Sequence, residues 1–203
     1  MPQPLQYLKE TPLQTAGLYV HIGLAAATAE FDIFRRELGR RIAPDDAPGK
    51  GVRITCRVID GMGDAVKEVM FEILQADASA IFPHPDDPRH AEVTPGFRGF
   101  GRVIPDFNSG DFAIDTMKPG PVPMKGRAAA APHLNLWLIT RGINLGLNTR
   151  LCLGDEDNSA DPIAKLIEQD HCRWTLIAEK TFDGLYRFDI RLQDNSKTLF
   201  PDV

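Results

Sequence analysis

From Val52 onward apolar and polar side chains alternate with a period of two, Val52, Ile54, Cys56 and Val58 against Arg53, Thr55 and Arg57. A strand with one face on a core and the other toward water has this pattern. Runs of the same kind predict strands over 69–76, 99–104, 112–117, 133–140, 149–153, 174–181 and 185–192. Asp183-Gly184 between the last two is a tight-turn signal, and beyond it Tyr186, Phe188, Ile190 and Leu192 alternate with Arg187, Asp189 and Arg191. A helical period shows in Phe31, Phe34, Leu38 and Ile42, which predict an amphipathic helix over 30–42 that the Pro- and Gly-rich run 44–49 breaks. Asp161-Pro162 predicts the cap and first turn of a short helix with Ile163, Leu166 and Ile167 on one side. About eight strands, short peripheral helices and long loops, among them 79–96, predict an all-β sandwich. Residues 1–203 are expected to form it as a single domain.

Composition changes this picture little. The 203 residues suffice for one core, and a formal charge of −5 gives no overall attraction to a polyanion, so nucleic acid is not an expected partner. Cys56, Cys152 and Cys172 contain no C-x-x-C pair, which argues against a disulfide framework or a thiolate zinc site and suits a reducing, cytoplasmic compartment. The stretch 11–29 carries no charge and superficially imitates an export signal. Pro12, Gln14, His21 and Gly23 interrupt any apolar run, however, and Lys9-Glu10 supplies both signs where a basic flank would stand. Neither export nor a membrane partner is expected.

Candidate chemistry concentrates in 118–124 and 131–137. On a strand over 133–140, His133 and Asn135 project from one face, about 7 Å apart. An amide is a weak donor toward transition metals, so the residues alone favour a hydrogen-bonded, partly buried histidine over a ligand. A site assembled from His84, His90 and His133 needs the long loop to fold onto the strand face. Gly99-Phe100-Gly101 lacks the third glycine of a phosphate loop and reads as close strand packing. Asp60-Gly61-Met62-Gly63-Asp64 lacks the later glutamate of a calcium loop and reads as a hairpin turn. Trp137 and Trp174 read as core or interface residues.

A set of short motifs stands in a familiar order: Glu10-Thr-Pro-Leu-Gln-Thr-Ala-Gly-Leu-Tyr19, Phe71-Glu-Ile-Leu-Gln-Ala-Asp77, Gly99-Phe-Gly-Arg102, Lys118-Pro-Gly-Pro121, Pro132-His-Leu-Asn135, Arg141-Gly-Ile-Asn144, Thr149-Arg-Leu151 and, last, Tyr186-Arg-Phe-Asp-Ile-Arg191. Together they resemble the intradiol ring-cleavage dioxygenases, and within that family the alpha chains of its two-chain members. The resemblance implies a β-sandwich paired with a homologous beta chain in a large hetero-oligomer, with an N-terminal arm, about 1–28, packed on the partner. It also implies an enzyme that opens protocatechuate between its hydroxyls with non-haem Fe(III) and dioxygen.

In the iron-binding chains the ligands are two tyrosines and a His-x-His pair. Val122 stands where the second tyrosine is expected, His133 and Asn135 where the histidines are, and the first tyrosine position falls near Arg89 or His90. Ala130 replaces an arginine that precedes the first histidine. Without phenolate donors the chain is expected to bind no iron, leaving Val122, His133 and Asn135 as a degenerate former metal cleft.

The resemblance assigns Thr15, Ala16, Gly17 and Arg141 to the wall of the partner's active site, with Arg141 suited to the substrate carboxylate. Leu18 departs from the proline usual after Thr-Ala-Gly. Read on their own, Arg141 is an ion pair at a strand end and Thr15 a turn hydroxyl. Two rival readings follow: a free-standing, metal-free module that holds an aromatic ligand around His133 and Asn135, and an active homomer with a rebuilt metal site.

Overall fold

The computed structural model describes residues 41–201 and, before them, 15–17, 19, 23, 26, 30, 31 and 33. Most of the helix expected over 30–42, and most of 11–29, lie outside the described residues.

The alternating segments become β1 (Gly51–Ile59), β2 (Val69–Leu74), β3 (Phe100–Val103), β4 (Asp111–Met117), β5 (His133–Thr140), β6 (Leu147–Leu153), β7 (Ile177–Phe182) and β8 (Leu185–Arg191). They lie in the order β3-β2-β5-β6-β7-β8-β1-β4. The pairs β1–β8 and β6–β7 are parallel, whereas all other neighbours are antiparallel. A narrow seam, Cys152↔Ile177 and Leu153↔Ala178, joins β6 to β7, and the sheet folds there into the two layers of a sandwich.

The inner faces are those the period-two pattern selects. Val52, Ile54, Cys56 and Val58 of β1 and Tyr186, Phe188 and Ile190 of β8 meet Phe71 and Ile73 of β2 and Leu134, Leu136 and Leu138 of β5 in one buried cluster. Phe71 stacks on Phe112 across the layers, ring centres 4.2 Å apart. Each such side chain contributes about 1.5–3 kcal/mol by leaving water, so the cluster fixes which face of β5 turns outward.

Asp183-Gly184 links β7 to β8 as the sequence predicts, with Gly184 at φ +71°. At 60–64 the backbone turns back on itself, the Asp60 carboxylate accepting the N–H groups of Met62 and Asp64. Close packing at Gly99 is also found, since a Cβ there would lie 2.9 Å from the Gln75 carbonyl oxygen.

Two expectations need correction. The segment that was to begin a strand at Trp174 instead forms α1 (Asp170–Trp174), tied by a 2.7 Å Arg173–Asp170 ion pair and closed by Thr175 Oγ1 donating to the Cys172 carbonyl. Asp161 does cap, accepting the N–H groups of Ile163 and Ala164, but only a single 3-10 turn follows, Ala164–Leu166. Leu166 is 67% exposed, so no buried face rewards a longer helix. Trp137 and Trp174, expected in the core or at an interface, are 42% and 73% exposed and so lie outside the core of this chain.

The loop 79–96 is anchored at both ends by one buried carboxylate. Asp77, 1% exposed, accepts the N–H groups of Ser79 and Ile81 on one oxygen and the N–H and hydroxyl of Thr94 on the other. Gly120 packs against the same corner: its N–H donates to the Asp77 carbonyl at 2.9 Å, and a Cβ there would sit 2.5 Å from the Ala78 carbonyl oxygen.

Candidate functional site

Because the even positions of β5 fill the core, His133, Asn135 and Trp137 share its outer face. Across the ladder to β6, His133 pairs with Cys152, Asn135 with Arg150 and Trp137 with Asn148. Val122 lies outside β5, in an isolated two-way bridge with Ala130 just before it. His133 and Asn135 thus keep the expected shared face, and Val122 lines a separate cleft beside the long loop.

His133 is 8% exposed, and its ring Nδ1 lies 2.7 Å from the Ala131 carbonyl oxygen. That contact places the proton on Nδ1. Burial, reinforced by the Arg150 guanidinium, pushes its pKa down to about 4, so the ring is neutral near pH 7. Beside it lies a pair the sequence reading did not single out as a site: Arg150 and Asp161, 10% and 1% exposed at their side chains and 2.8 Å apart. Arg150 also donates to the Ala131 carbonyl at 3.3 Å, and Asp161 accepts the Ala131 N–H at 2.7 Å. Burial alone would raise the Asp161 pKa, but the Ala164 N–H, the Arg150 charge and the Ala131 and Ile163 N–H groups together lower it. Burial also lifts the Cys152 thiol to about 11, so it is no nucleophile.

This arrangement does not fit a ferric ion. Val122, His133 and Asn135 supply one isopropyl group, one imidazole and one amide, no anionic oxygen among them, and the residue opposite Asn135 on β6 is the cationic Arg150. His84 and His90 remain on the loop, where His84 contacts Asp86 and His90 contacts the Asp87 carbonyl oxygen, while His133 is buried elsewhere. Among the described residues no group of three His, Cys, Asp or Glu side chains is placed to hold a metal.

Thr15 and Arg141 meet differently. Thr15 Oγ1 accepts the Gly142 N–H at 2.6 Å, which sets Thr15-Ala16-Gly17 against the turn that carries Arg141. Arg141, 57% exposed at its side chain, pairs through Nε with Glu68 at 2.9 Å. The strand-end ion pair is therefore present, and the rest of the guanidinium faces outward. Contact between residues so far apart in the chain leaves no local signal.

A family model described as Dioxygenase matches residues 33–194, and the chain belongs to that family. The protocatechuate 3,4-dioxygenase alpha chain of Pseudomonas putida is 41% identical over 204 residues, covering 98% of this chain and 99% of that one. The beta chain of the Burkholderia cepacia protocatechuate 3,4-dioxygenase is 33% identical over 89 residues, 44% of this chain and 35% of that one. Among solved structures, catechol 1,2-dioxygenase from Pseudomonas arvilla C-1 superposes with a TM-score of 0.57 at 16% identity, over 74% of this chain and 54% of that chain, a likeness of fold.

Proposed function

We propose that this chain is the iron-free alpha subunit of a protocatechuate 3,4-dioxygenase. It works in the cytoplasm in a hetero-oligomer with the protocatechuate 3,4-dioxygenase beta chain. At an Fe(III) site in the beta subunit, protocatechuate and dioxygen yield 3-carboxy-cis,cis-muconate. The observation that carries the reading is kinship with an alpha chain along nearly the whole length. The misfit of Val122, His133 and Asn135 to ferric ion supports the assignment of iron to the partner.

In this reading residues 1–203 form one domain whose N-terminal arm packs on the beta chain. Thr15, Ala16, Gly17 and Arg141 complete the wall of the partner's active site. The exposed part of the Arg141 guanidinium would face the substrate carboxylate, while Glu68 holds the side chain in one direction. Three free cysteines, two of them buried, suit a reducing compartment.

Co-expression with a beta chain tests the proposal. A co-purifying complex with ring-cleaving activity is expected, and metal analysis of this chain expressed alone should find no stoichiometric iron. A chain that carries iron and converts protocatechuate unaided would overturn it.

A further inference from the structure

The turn that carries Arg141 is braced on several sides, and one brace acts on the guanidinium itself. Glu68 is the last residue before β2, and its backbone is fixed, its carbonyl accepting the Thr140 hydroxyl at 2.6 Å. Val69 stands opposite Thr140 in the β2–β5 ladder, so one step further along the same register Glu68 faces Arg141. Opposite charges in such cross-strand positions attract. Beyond Arg141, the Gly142 N–H donates to Thr15 Oγ1, and Trp137 packs so closely on Gly146 that a Cβ there would overlap the indole. The turn is thus held while its one arginine stays half exposed, at 57%.

The Glu68 carboxylate meets Arg141 at Nε, 2.9 Å away, the guanidinium nitrogen nearest the main chain. Nη1 and Nη2 donate to no acceptor among the described residues. Those two nitrogens form the edge of a guanidinium that takes both oxygens of a carboxylate end-on. Glu68 therefore covers the inner side of the cation and leaves the bidentate edge uncovered. An arginine without such a contact samples many rotamers, and ordering it at the moment of binding weakens affinity by about two- to tenfold.

We propose that Glu68 is a positioning residue for substrate recognition: by holding Nε it presents Nη1 and Nη2 of Arg141 to the substrate carboxylate in the partner's active site. The inference rests on the reading of Arg141 given above. Its sign separates it from the opposite role. Were Glu68 only damping the Arg141 charge, its removal would tighten protocatechuate binding, whereas loss of a positioning residue loosens it. Steady-state kinetics of the complex co-expressed with a beta chain test this, with Glu68→Ala, Arg141→Ala and the double variant compared on protocatechuate and on catechol.

Glu68→Ala should raise KM for protocatechuate about two- to tenfold, with a smaller change in kcat and a much smaller one in KM for catechol. In the Arg141→Ala background the same substitution should add nothing. An unchanged or lowered KM for protocatechuate, equal rises for both substrates, or additive effects in the double variant overturn the proposal alone. If the unaltered chain forms no complex, or Arg141→Ala does not discriminate between the substrates, the proposal falls together with the reading on which it rests. If Glu68→Ala does not assemble, Glu68→Gln, which keeps an acceptor oxygen at the same reach and removes the charge, decides: a selective rise in KM for protocatechuate supports the role, and no rise or a fall refutes it.

Discussion

The β5 end at His133 and the turn at Arg141 stand at opposite ends of one strand and have been treated in opposite ways. At His133 the polar groups close on one another: Arg150, Asp161, the Ala131 peptide and the imidazole form a buried cluster. At Arg141 a single carboxylate, Glu68, and the Thr15 hydroxyl hold a turn whose guanidinium remains mostly in solvent. The first region spends its charges on its own fold; the second pairs one guanidinium at the surface and leaves much of it in solvent. A buried pair strongly penalises loss of either partner, whereas an exposed one is worth little to stability.

The sharpest way to break that contrast is Asp161→Ala, which strands the buried Arg150 charge and also removes acceptors from Ala131, Ile163 and Ala164. Urea unfolding should show a loss of about 3–5 kcal/mol. Next comes acid. The folded His133 pKa lies at about 4, below its ordinary 6.5, so the unfolded chain binds the proton more readily. Its contribution is complete above pH 6.5 and is lost as pH falls toward 4, amounting to about 3 kcal/mol. His133→Gln should flatten the urea midpoint across that range.

Asp155 belongs to a lower window. Burial opposes its ionisation, but Lys180, Tyr186 and Lys118 hold its pKa at about 2, so its share persists above its ordinary pKa of 3.8 and fades only as pH falls toward 2. The smallest effect on folding is expected at the turn after β5, where Arg141→Ala should cost less than about 1 kcal/mol. In a complex with the beta chain the same variant should raise KM for protocatechuate by about three- to tenfold, and for catechol, which lacks the carboxylate, much less. Equal changes for both substrates would remove Arg141 from substrate recognition.

Most of the sandwich is legible in the sequence because its signal is local. The β5 strand appears at 133–140 as the alternation predicts, and Asp183-Gly184 alone announces the β7–β8 hairpin. What fails locally does so for tertiary reasons. Asp161 has the chemistry of a helix cap and caps, yet the segment beyond it finds no core to face and stops after a 3-10 turn. The β propensity around Trp174 is overridden by a helical turn that the Asp170–Arg173 pair ties. At the site, the identities of Val122, His133 and Asn135 were readable. The guanidinium of Arg150 beside them was not, because its significance depends on a carboxylate eleven positions away in a different element.

Asp77 gives the molecule a further property. By gathering both ends of an eighteen-residue excursion onto one carboxylate, it closes the loop at its base, so the strands on either side take their positions from Asp77 rather than from the side chains at the loop's tip.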